Sequence, residues 1–220
     1  MPKPSRWFEL EATMIVEQPV TTFLDRLASG AATPGGGSAA AIMGAMGAAL
    51  VSMMCNLTIG KKNYAEVEGE MRAVLADAES LRRRLADMVA EDIAAFDGLM
   101  AAYGLPKDSD AQKAQRSAAI QSCLKAATEA PLACARASAD VIALALRAAK
   151  VGNTNVISDA GVGALAAQAA LRSAALNVCI NVPSLKDAAY ASACRAEIDA
   201  LLASAVPLAE QTYELVKSKL

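Results

Sequence analysis

Apolar residues recur along residues 64–99 with a seven-residue period, in two columns offset by three positions. The first column is Tyr64, Met71, Ala78, Leu85, Asp92 and Leu99, and the second is Val67, Val74, Leu81, Met88 and Ala95. This spacing predicts a long α-helix, from about 62 to 102, whose seam is buried against neighbouring helices. Asp92 is the one charged residue in either column, so the pattern places an acid among apolar neighbours.

Five further helices are predicted from apolar periodicity and from start and stop signals. They cover about residues 18–29, 33–58, 109–150, 158–181 and 185–218. Thr33 is expected to cap the second helix with Pro34 at its first helical position, and Pro131 and Pro207 are expected to bend the helices that contain them. No segment has the pattern of a strand. The fold class is therefore all-α: an up-and-down bundle of about six long antiparallel helices, one domain over 1–220 with 1–17 as an N-terminal extension.

The composition supports closely packed helices and excludes some functions. Hydrophobic residues make up 55% of the chain but aromatic residues only 4%, a mixture rich in alanine that suits helices better than strands. The formal net charge of −2 does not indicate the basic surface that nucleic-acid binding requires. The chain has no histidine, and its five cysteines show no C-x-x-C spacing, so no metal site is expected. We expect reduced thiols in a cytoplasmic protein.

The stretch between Arg26 and Lys61 carries no charge and is long enough to cross a membrane. It is built from Ala, Gly and Ser rather than from large apolar residues, and amphipathic helices follow it. We therefore predict a central, fully packed helix of a bundle and no membrane contact. The N-terminus lacks the apolar core of a secretory signal.

Asp92 is the first candidate for chemistry. A seam acid can be a structural residue, satisfied by a partner and serving helix register. It can also be functional, because burial raises the pKa of a carboxyl group toward the range where it takes and returns protons. Without histidine, acid–base work at neutral pH falls to Asp, Glu, Lys, Tyr or Cys.

Four other groups of polar or glycine residues are candidates for ligand binding. In "TPGGGS", Gly35, Gly36, Gly37 and Ser38 either permit close helix packing or form a helix start that binds an anion. In "NLTIGKKNY", Lys61 and Lys62 either complement a helix C-terminus or face the seam that Tyr64 begins. In "GNTNVISDAGV", Asn153 and Asp159 either cap a helix or form the polar floor of a binding site. Asn177 lies on the otherwise apolar helix that follows and needs a partner if it is buried.

Several of these motifs occur together and in this order in one family. The chain, over roughly residues 18–219, resembles the folate cyclodeaminase/cyclohydrolase family in "TPGGGS", "NLTIGKK", "EDIAAF", "YGLPK", "GNTNVISDAGV" and "ALNVCIN". It is most similar to the stand-alone bacterial methenyltetrahydrofolate cyclohydrolases of that family. The resemblance implies an all-helical, homodimeric enzyme whose catalytic carboxylate is Asp92, the same residue that the heptad pattern selects.

The resemblance further implies hydrolysis of 5,10-methenyltetrahydrofolate to 10-formyltetrahydrofolate, with no metal or redox cofactor. Asp92 would take a proton from water, and Asp92 or Lys61 would return a proton to the leaving nitrogen. Asn153, Asp159 and Asn177 would hold the pterin, and the glycine-rich helix start or Lys62 would bind the glutamate carboxylates.

Two alternatives to hydrolysis of the methenyl substrate stay open at this point. One is the formimidoyltetrahydrofolate cyclodeaminase reaction, which closes the same ring with loss of ammonia. The other is a non-catalytic helical interaction protein with an inert seam.

Overall fold

The computed structural model describes residues 17–220, and six α-helices lie wholly within that range. The predicted extension falls almost entirely on residues 1–16, outside the described part. The helices are α1 (Val20–Leu27), α2 (Gly36–Asn56), α3 (Glu68–Tyr103), α4 (Asp110–Val151), α5 (Ile157–Asn181) and α6 (Ala188–Ser218). Three short 3-10 segments flank these helices. Lys62–Val67 precedes α3, Thr154–Val156 precedes α5, and Val182–Ser184 follows α5. Residues 17–220 contain no strand, so the all-α prediction is confirmed.

The core of the bundle lies between α2, α3, α4 and α5, with α6 packed against α4 and α5. The predicted seam of α3 is buried, since Met71, Val74, Ala78 and Leu85 are fully inaccessible to solvent. Small residues let α2 and α5 approach closely. A Cβ atom on Gly47 would lie 2.8 Å from the carbonyl oxygen of Gly163, so a side chain there would force the two helices apart.

The start of α2 differs from the prediction. The helix begins at Gly36 with Gly35 as its N-cap, whereas Thr33 and Pro34, joined by a cis peptide bond, lie in the preceding turn. Thr33 is therefore not the cap. The sequence signal was local, but the position of this first turn is fixed by a contact with a distant helix, described below.

Pro131 lies inside α4 without ending it. Proline has no N–H, so the carbonyl of Ala127, four residues earlier, loses its helical donor. The side-chain Nδ2 of Asn181 donates to that carbonyl oxygen at 2.7 Å. This contact from α5 replaces the missing hydrogen bond. Pro207 likewise lies within an unbroken α6.

Two helical segments, not the single one expected, are long and apolar enough to cross a membrane: Gly36–Asn56 and Thr154–Ser184. About half of each is buried inside the bundle, 56% and 44% of the most apolar window. The buried halves form the core. The other halves, together with Leu57 directly after the first segment, leave large apolar side chains on the surface of the described chain: Met46, Met53, Leu57, Val162, Leu165, Leu176 and Ile180. We call these seven residues the apolar face.

Candidate active site

Asp92 occupies the α3 seam three turns before the end of the helix and is half-buried. The hydroxyl of Ser38, on the first turn of α2, donates a hydrogen bond to Asp92 Oδ2 at 2.8 Å. Ser38 itself is completely buried. The two residues are 54 positions apart in the chain, so this contact fixes the beginning of α2 against the last third of α3.

Gly37 is packed directly against the same carboxylate. A Cβ atom at this position would lie 2.0 Å from Asp92 Oδ1 and 2.6 Å from its Cγ, which is far inside van der Waals contact. The glycine-rich helix start was predicted either to pack closely or to bind an anion. The close packing is confirmed at Gly37, and the group packed against it is the Asp92 carboxylate, whose negative charge the positive end of α2 favours. Binding of an anion from a ligand stays a prediction.

The environment of Asp92 changes its protonation. Burial raises the pKa of the Asp92 carboxyl, while hydrogen bonds from the hydroxyl and the backbone N–H of Ser38 act in the opposite, smaller sense. The result is a carboxyl group whose pKa is raised but whose ionised form still accepts hydrogen bonds from Ser38. A group of this kind is suited to accept a proton and to release it again.

A small cavity adjoins the carboxylate. Its volume of about 10 Å³ corresponds to one water molecule and not to a folate ring. The lining includes residues that the sequence did not identify as part of a site, namely Met88, Ala130, Pro131, Cys134 and Ala174. Burial raises the pKa of the Cys134 thiol to about 11, with the charge of Asp92 adding to the effect, so Cys134 stays a neutral thiol at neutral pH.

Asn177 lies at the same end of the bundle. A Cβ atom on Gly36 would be 3.7 Å from both polar atoms of the Asn177 amide. The amide Nδ2 donates to the carbonyl of Ser173 at 2.8 Å, and the side chain is half-buried. We call Gly36, Gly37, Ser38, Asp92 and Asn177 the glycine end. Gly35, the N-cap of α2, adjoins it.

The other predicted residues lie at the opposite end of α2. Lys61 and Lys62 are exposed in the turn that follows α2, and Asp159 is half-buried in the first turn of α5. Asn153 contacts this turn directly, because its backbone N–H donates to Thr58 Oγ1 at 3.0 Å. We call Lys61, Lys62, Asn153 and Asp159 the lysine end.

The side chain of Asn153 is already engaged. Its Nδ2 donates to the carbonyl of Leu57 at 2.9 Å, its Oδ1 accepts from the N–H of Asn155 at 3.1 Å, and the residue is 1% exposed. The Asn153 amide therefore joins the turn after α2 to the turn before α5, and a role in holding the substrate stays a prediction.

One chain does not bring the two ends together. Helix α2 has 21 residues, and at 1.5 Å per residue it separates them by about 30 Å. Within a single chain, Lys61, Lys62 and Asp159 therefore lie far from Asp92. Among residues 17–220, no cluster of three or more acidic or cysteine side chains is arranged to hold a metal ion.

Comparison with known proteins places this geometry in a family. Residues 19–200 match the family described as formiminotransferase-cyclodeaminase. The chain is 58% identical over 206 residues to the methenyltetrahydrofolate cyclohydrolase of Methylorubrum extorquens, a match that covers 94% of this chain and 99% of that protein.

Two cyclodeaminases are also similar. The formimidoyltransferase-cyclodeaminase of Sus scrofa is 34% identical over 191 residues, which span 87% of this chain but only 35% of that longer protein. The crystal structure of formiminotetrahydrofolate cyclodeaminase from Thermotoga maritima superposes with a TM-score of 0.79 at 30% identity, over 92% of this chain and 96% of that one.

Proposed function

Because the chain belongs to the formiminotransferase-cyclodeaminase family, we propose that it hydrolyses 5,10-methenyltetrahydrofolate to 10-formyltetrahydrofolate. The observation that carries this proposal is the Asp92 carboxylate, half-buried, raised in pKa and held by Ser38 and Gly37. The near full-length similarity to a cyclohydrolase selects this reaction within the family.

The proposed mechanism uses Asp92 as base and then as acid. Ionised Asp92 takes a proton from water as the water oxygen bonds to the bridging carbon and the C=N electron pair moves onto nitrogen. The resulting tetrahedral carbon carries a hydroxyl and both N5 and N10. Asp92 returns its proton to N5 as the C–N5 bond breaks, and the hydroxyl loses its proton to solvent as the formyl C=O forms. The reaction releases one proton overall.

The charge at Asp92 also favours this substrate. The methenyl bridge is cationic, so a carboxylate at low dielectric attracts it and stabilises its approach. The cavity beside Asp92 is too small for the pterin. We therefore propose that the ring lies outside it, against the start of α2 around Gly36, where the half-buried Asn177 amide meets the pterin edge.

We propose further that a second copy completes the site. The apolar face runs along α2 and α5, and from 27 to 60 the chain carries no charge. Its most exposed members, Leu176 and Ile180, are 72% and 75% exposed. Exposed apolar side chains gathered along two packed helices are typical of an interaction site.

An antiparallel pairing of two α2 helices would bring the glycine end of one copy next to the lysine end of the other. A two-fold axis near the middle of α2 gives this arrangement, and the contact is closed and self-complementary. Such a homodimer would bring the partner's Lys61, Lys62 and Asp159 to the ring beside Asp92. The partner's Lys61 is then the second candidate for returning the proton to N5, and the partner's Lys62 for binding the first glutamate.

Mixed dimers test this arrangement. Asp92→Asn and the double variant Lys61→Gln/Lys62→Gln are each expected to be nearly inactive alone. When the two chains are produced together, random pairing leaves one intact site in half of the dimers, so about a quarter of wild-type activity returns. No recovery in purified mixed dimers would contradict a site shared between copies. Full activity of the double variant alone would show that Lys61 and Lys62 are not part of the site.

The reaction itself is tested with two substrates. Purified protein should abolish the near-ultraviolet absorbance of 5,10-methenyltetrahydrofolate while releasing no ammonia from the formimino substrate. The cyclodeaminase reaction stays the second candidate because of the Thermotoga maritima and Sus scrofa similarities. Ammonia release without methenyl hydrolysis would select it instead.

We propose a soluble, cytoplasmic location. All five cysteines are free thiols, and Cys55, Cys134 and Cys194 are buried. Unpaired buried thiols are typical of a reducing compartment.

A further inference from the structure

The cavity beside Asp92 is enclosed by the four core helices, since α2, α3, α4 and α5 each contribute to its lining. Its polar side chains are those of Asp92 on α3 and Cys134 on α4, and the other residues of the lining are glycine, alanine, proline and methionine. A volume of about 10 Å³ is close to the smallest space that holds one water molecule. Apolar cavities of proteins stay dry, whereas a cavity with two or more polar partners binds water. The lining of this cavity meets that condition.

Cys134 supplies a hydrogen-bond donor on the α4 side of the cavity. The residue is 3% exposed, and burial raises the pKa of its thiol to about 11, so the S–H proton is retained at neutral pH. The charge of Asp92 contributes to this rise, which is consistent with a short separation between the two groups. The hydroxyl proton of Ser138, one turn further along α4, is already engaged, because it is donated to the carbonyl oxygen of Cys134 at 2.8 Å.

The carboxylate of Asp92 can accept further hydrogen bonds. An ionised carboxylate has about four acceptor positions. Within residues 17–220, its donors are the hydroxyl of Ser38, at 2.8 Å from Oδ2, and the backbone N–H of Ser38. Acceptor positions that are buried without a donor raise the energy of the charged form. A water molecule beside the carboxylate would provide one more donor.

The charged residues nearest to the cavity are engaged, exposed or on another helix face. Helix α2 carries no charge. On α4, Arg136 pairs with Glu129. On α3, Glu91 forms a salt bridge, and Asp97 lies five positions after Asp92, about 140° around the helix. On α5, Arg172 is exposed. Among the described residues that line the cavity, Asp92 and Cys134 are therefore the titratable groups.

We propose that this cavity holds one internal water molecule, which donates a hydrogen bond to the Asp92 carboxylate and accepts one from the Cys134 thiol. The lining extends from Gly37 to Ala41 on α2 and from Asp92 back to Met88 on α3, one helical turn towards the middle of the bundle in each case. The water therefore lies behind the carboxylate as seen from the proposed position of the pterin ring, and it is distinct from the water that is consumed.

Cys134 is then a positioning residue that acts on Asp92 through this water. A hydrogen bond to the ionised carboxylate favours that form, which is the form that takes a proton from the reacting water. The internal water thus opposes the effect of burial on the acid and limits its rotation. This catalytic consequence rests on the proposed function, whereas the water and its effect on ionisation do not.

The ionisation of Asp92 in the whole protein tests this inference without using activity. Aspartate carboxyl groups are labelled with ¹³C and titrated by NMR, and Asp92 is assigned by the signal that is lost in Asp92→Asn. Cys134→Val removes the donor and fills the cavity, so the midpoint for Asp92 should move to higher pH by about one pH unit, the scale of a hydrogen bond to a charged group. Cys134→Ser keeps a donor and should not raise the midpoint.

Cys55→Val is the matched control for Cys134→Val. Cys55 is also completely buried, but it lies near the other end of α2, so the midpoint for Asp92 should not change. Valine in place of cysteine can overpack a core, and circular dichroism checks that each variant is folded. Ala174→Val fills the cavity from α5 without changing the thiol, and it should also move the midpoint to higher pH. An unchanged midpoint in folded Cys134→Val or Ala174→Val, or an equal change in Cys55→Val, would overturn the inference.

Crystallography and kinetics complete the test. A high-resolution crystal structure should show a water within hydrogen-bond distance of both Asp92 and the Cys134 sulfur, and it should be absent from Cys134→Val; a dry cavity in the wild-type protein would overturn the inference. In Cys134→Val, the acidic limb of the kcat/KM–pH profile should follow the NMR midpoint, while kcat above it stays within about threefold of the wild type. A protein that fails to hydrolyse the methenyl substrate but shows the water and the changed midpoint would overturn the proposed function alone.

Discussion

Replacing Gly37 by alanine should remove activity while preserving the fold. The added Cβ would lie 2.0 Å from Asp92 Oδ1, so the carboxylate must move away by roughly 1 Å or more to reach van der Waals contact. An aspartate side chain can make this movement by rotation, so the helices need not shift. The movement breaks the Ser38 hydrogen bond and takes the carboxylate away from the substrate carbon.

The size of the effect follows from this displacement. Misplacing a catalytic group by about 1 Å costs on the order of 100-fold in rate. Stability should change little, because the lost hydrogen bond to a charged group, about 1.5 to 3 kcal/mol, is partly offset by up to about 1 kcal/mol of improved helix propensity. We therefore expect kcat to fall about 100-fold and the free energy of unfolding to fall by no more than about 2 kcal/mol.

Gly36→Ala is the matched control for this substitution. It is the neighbouring glycine in the same helical turn, but its Cβ would meet only the Asn177 amide at an ordinary 3.7 Å. The assay is loss of methenyl absorbance under saturating substrate, with unfolding followed by circular dichroism in urea. At saturating substrate Gly36→Ala should retain kcat within about threefold, since no van der Waals overlap forces Asp92 to move; a methyl group at the proposed pterin contact would change KM and not kcat. Near-normal activity of Gly37→Ala, or equal losses in both variants, would refute the reasoning.

Three further predictions concern the support of the site and of the core. Ser38→Ala removes a hydrogen bond that lowers the pKa of Asp92, so the acidic limb of the kcat/KM–pH profile should move to higher pH. An unchanged limb would show that the ionisation in the profile is not that of Asp92. Asn181→Leu leaves the Ala127 carbonyl without a donor, and urea unfolding should show a loss of about 1 to 3 kcal/mol; an unchanged midpoint would show that the contact is not needed. Gly47→Ala should lower the free energy of unfolding by about 1 to 3 kcal/mol, because its Cβ meets backbone of α5 at 2.8 Å; a gain in stability would contradict the close approach of α2 and α5.

The sequence predicted the helices and the position of the seam acid well because both depend on spacing within one segment. The heptad columns identified α3 and singled out Asp92 as an acid between buried residues. Local patterns do not tell which helices pair, however. The hydrogen bond between Ser38 and Asp92 spans 54 positions, so the sequence could not show that the glycine-rich turn and the seam acid form one feature.

The position of the lysine end could not be predicted for a related reason. The motifs place Lys61, Lys62 and Asp159 near helix ends, whereas the length of α2 separates its two ends by about 30 Å within one chain. Asn153 also shows that a polar residue in a candidate motif can have a structural task, since its amide nitrogen and its amide oxygen each form a hydrogen bond within the chain. The compensation of Pro131 by Asn181 is a third contact between helices that spacing alone does not reveal.

The most direct test of the central claim is the Asp92→Asn variant. The amide keeps the size of the side chain and can still accept the Ser38 hydrogen bond, but it cannot take a proton from water. Burial raises the folded-state pKa of Asp92, so folding favours its neutral form, and the stability of the wild-type protein decreases as pH rises through that pKa. The variant should therefore be at least as stable as the wild type at neutral pH, with the difference closing in acid, while methenyltetrahydrofolate hydrolysis falls by at least ~100-fold. Turnover near the wild-type rate in a folded Asp92→Asn protein would contradict the account.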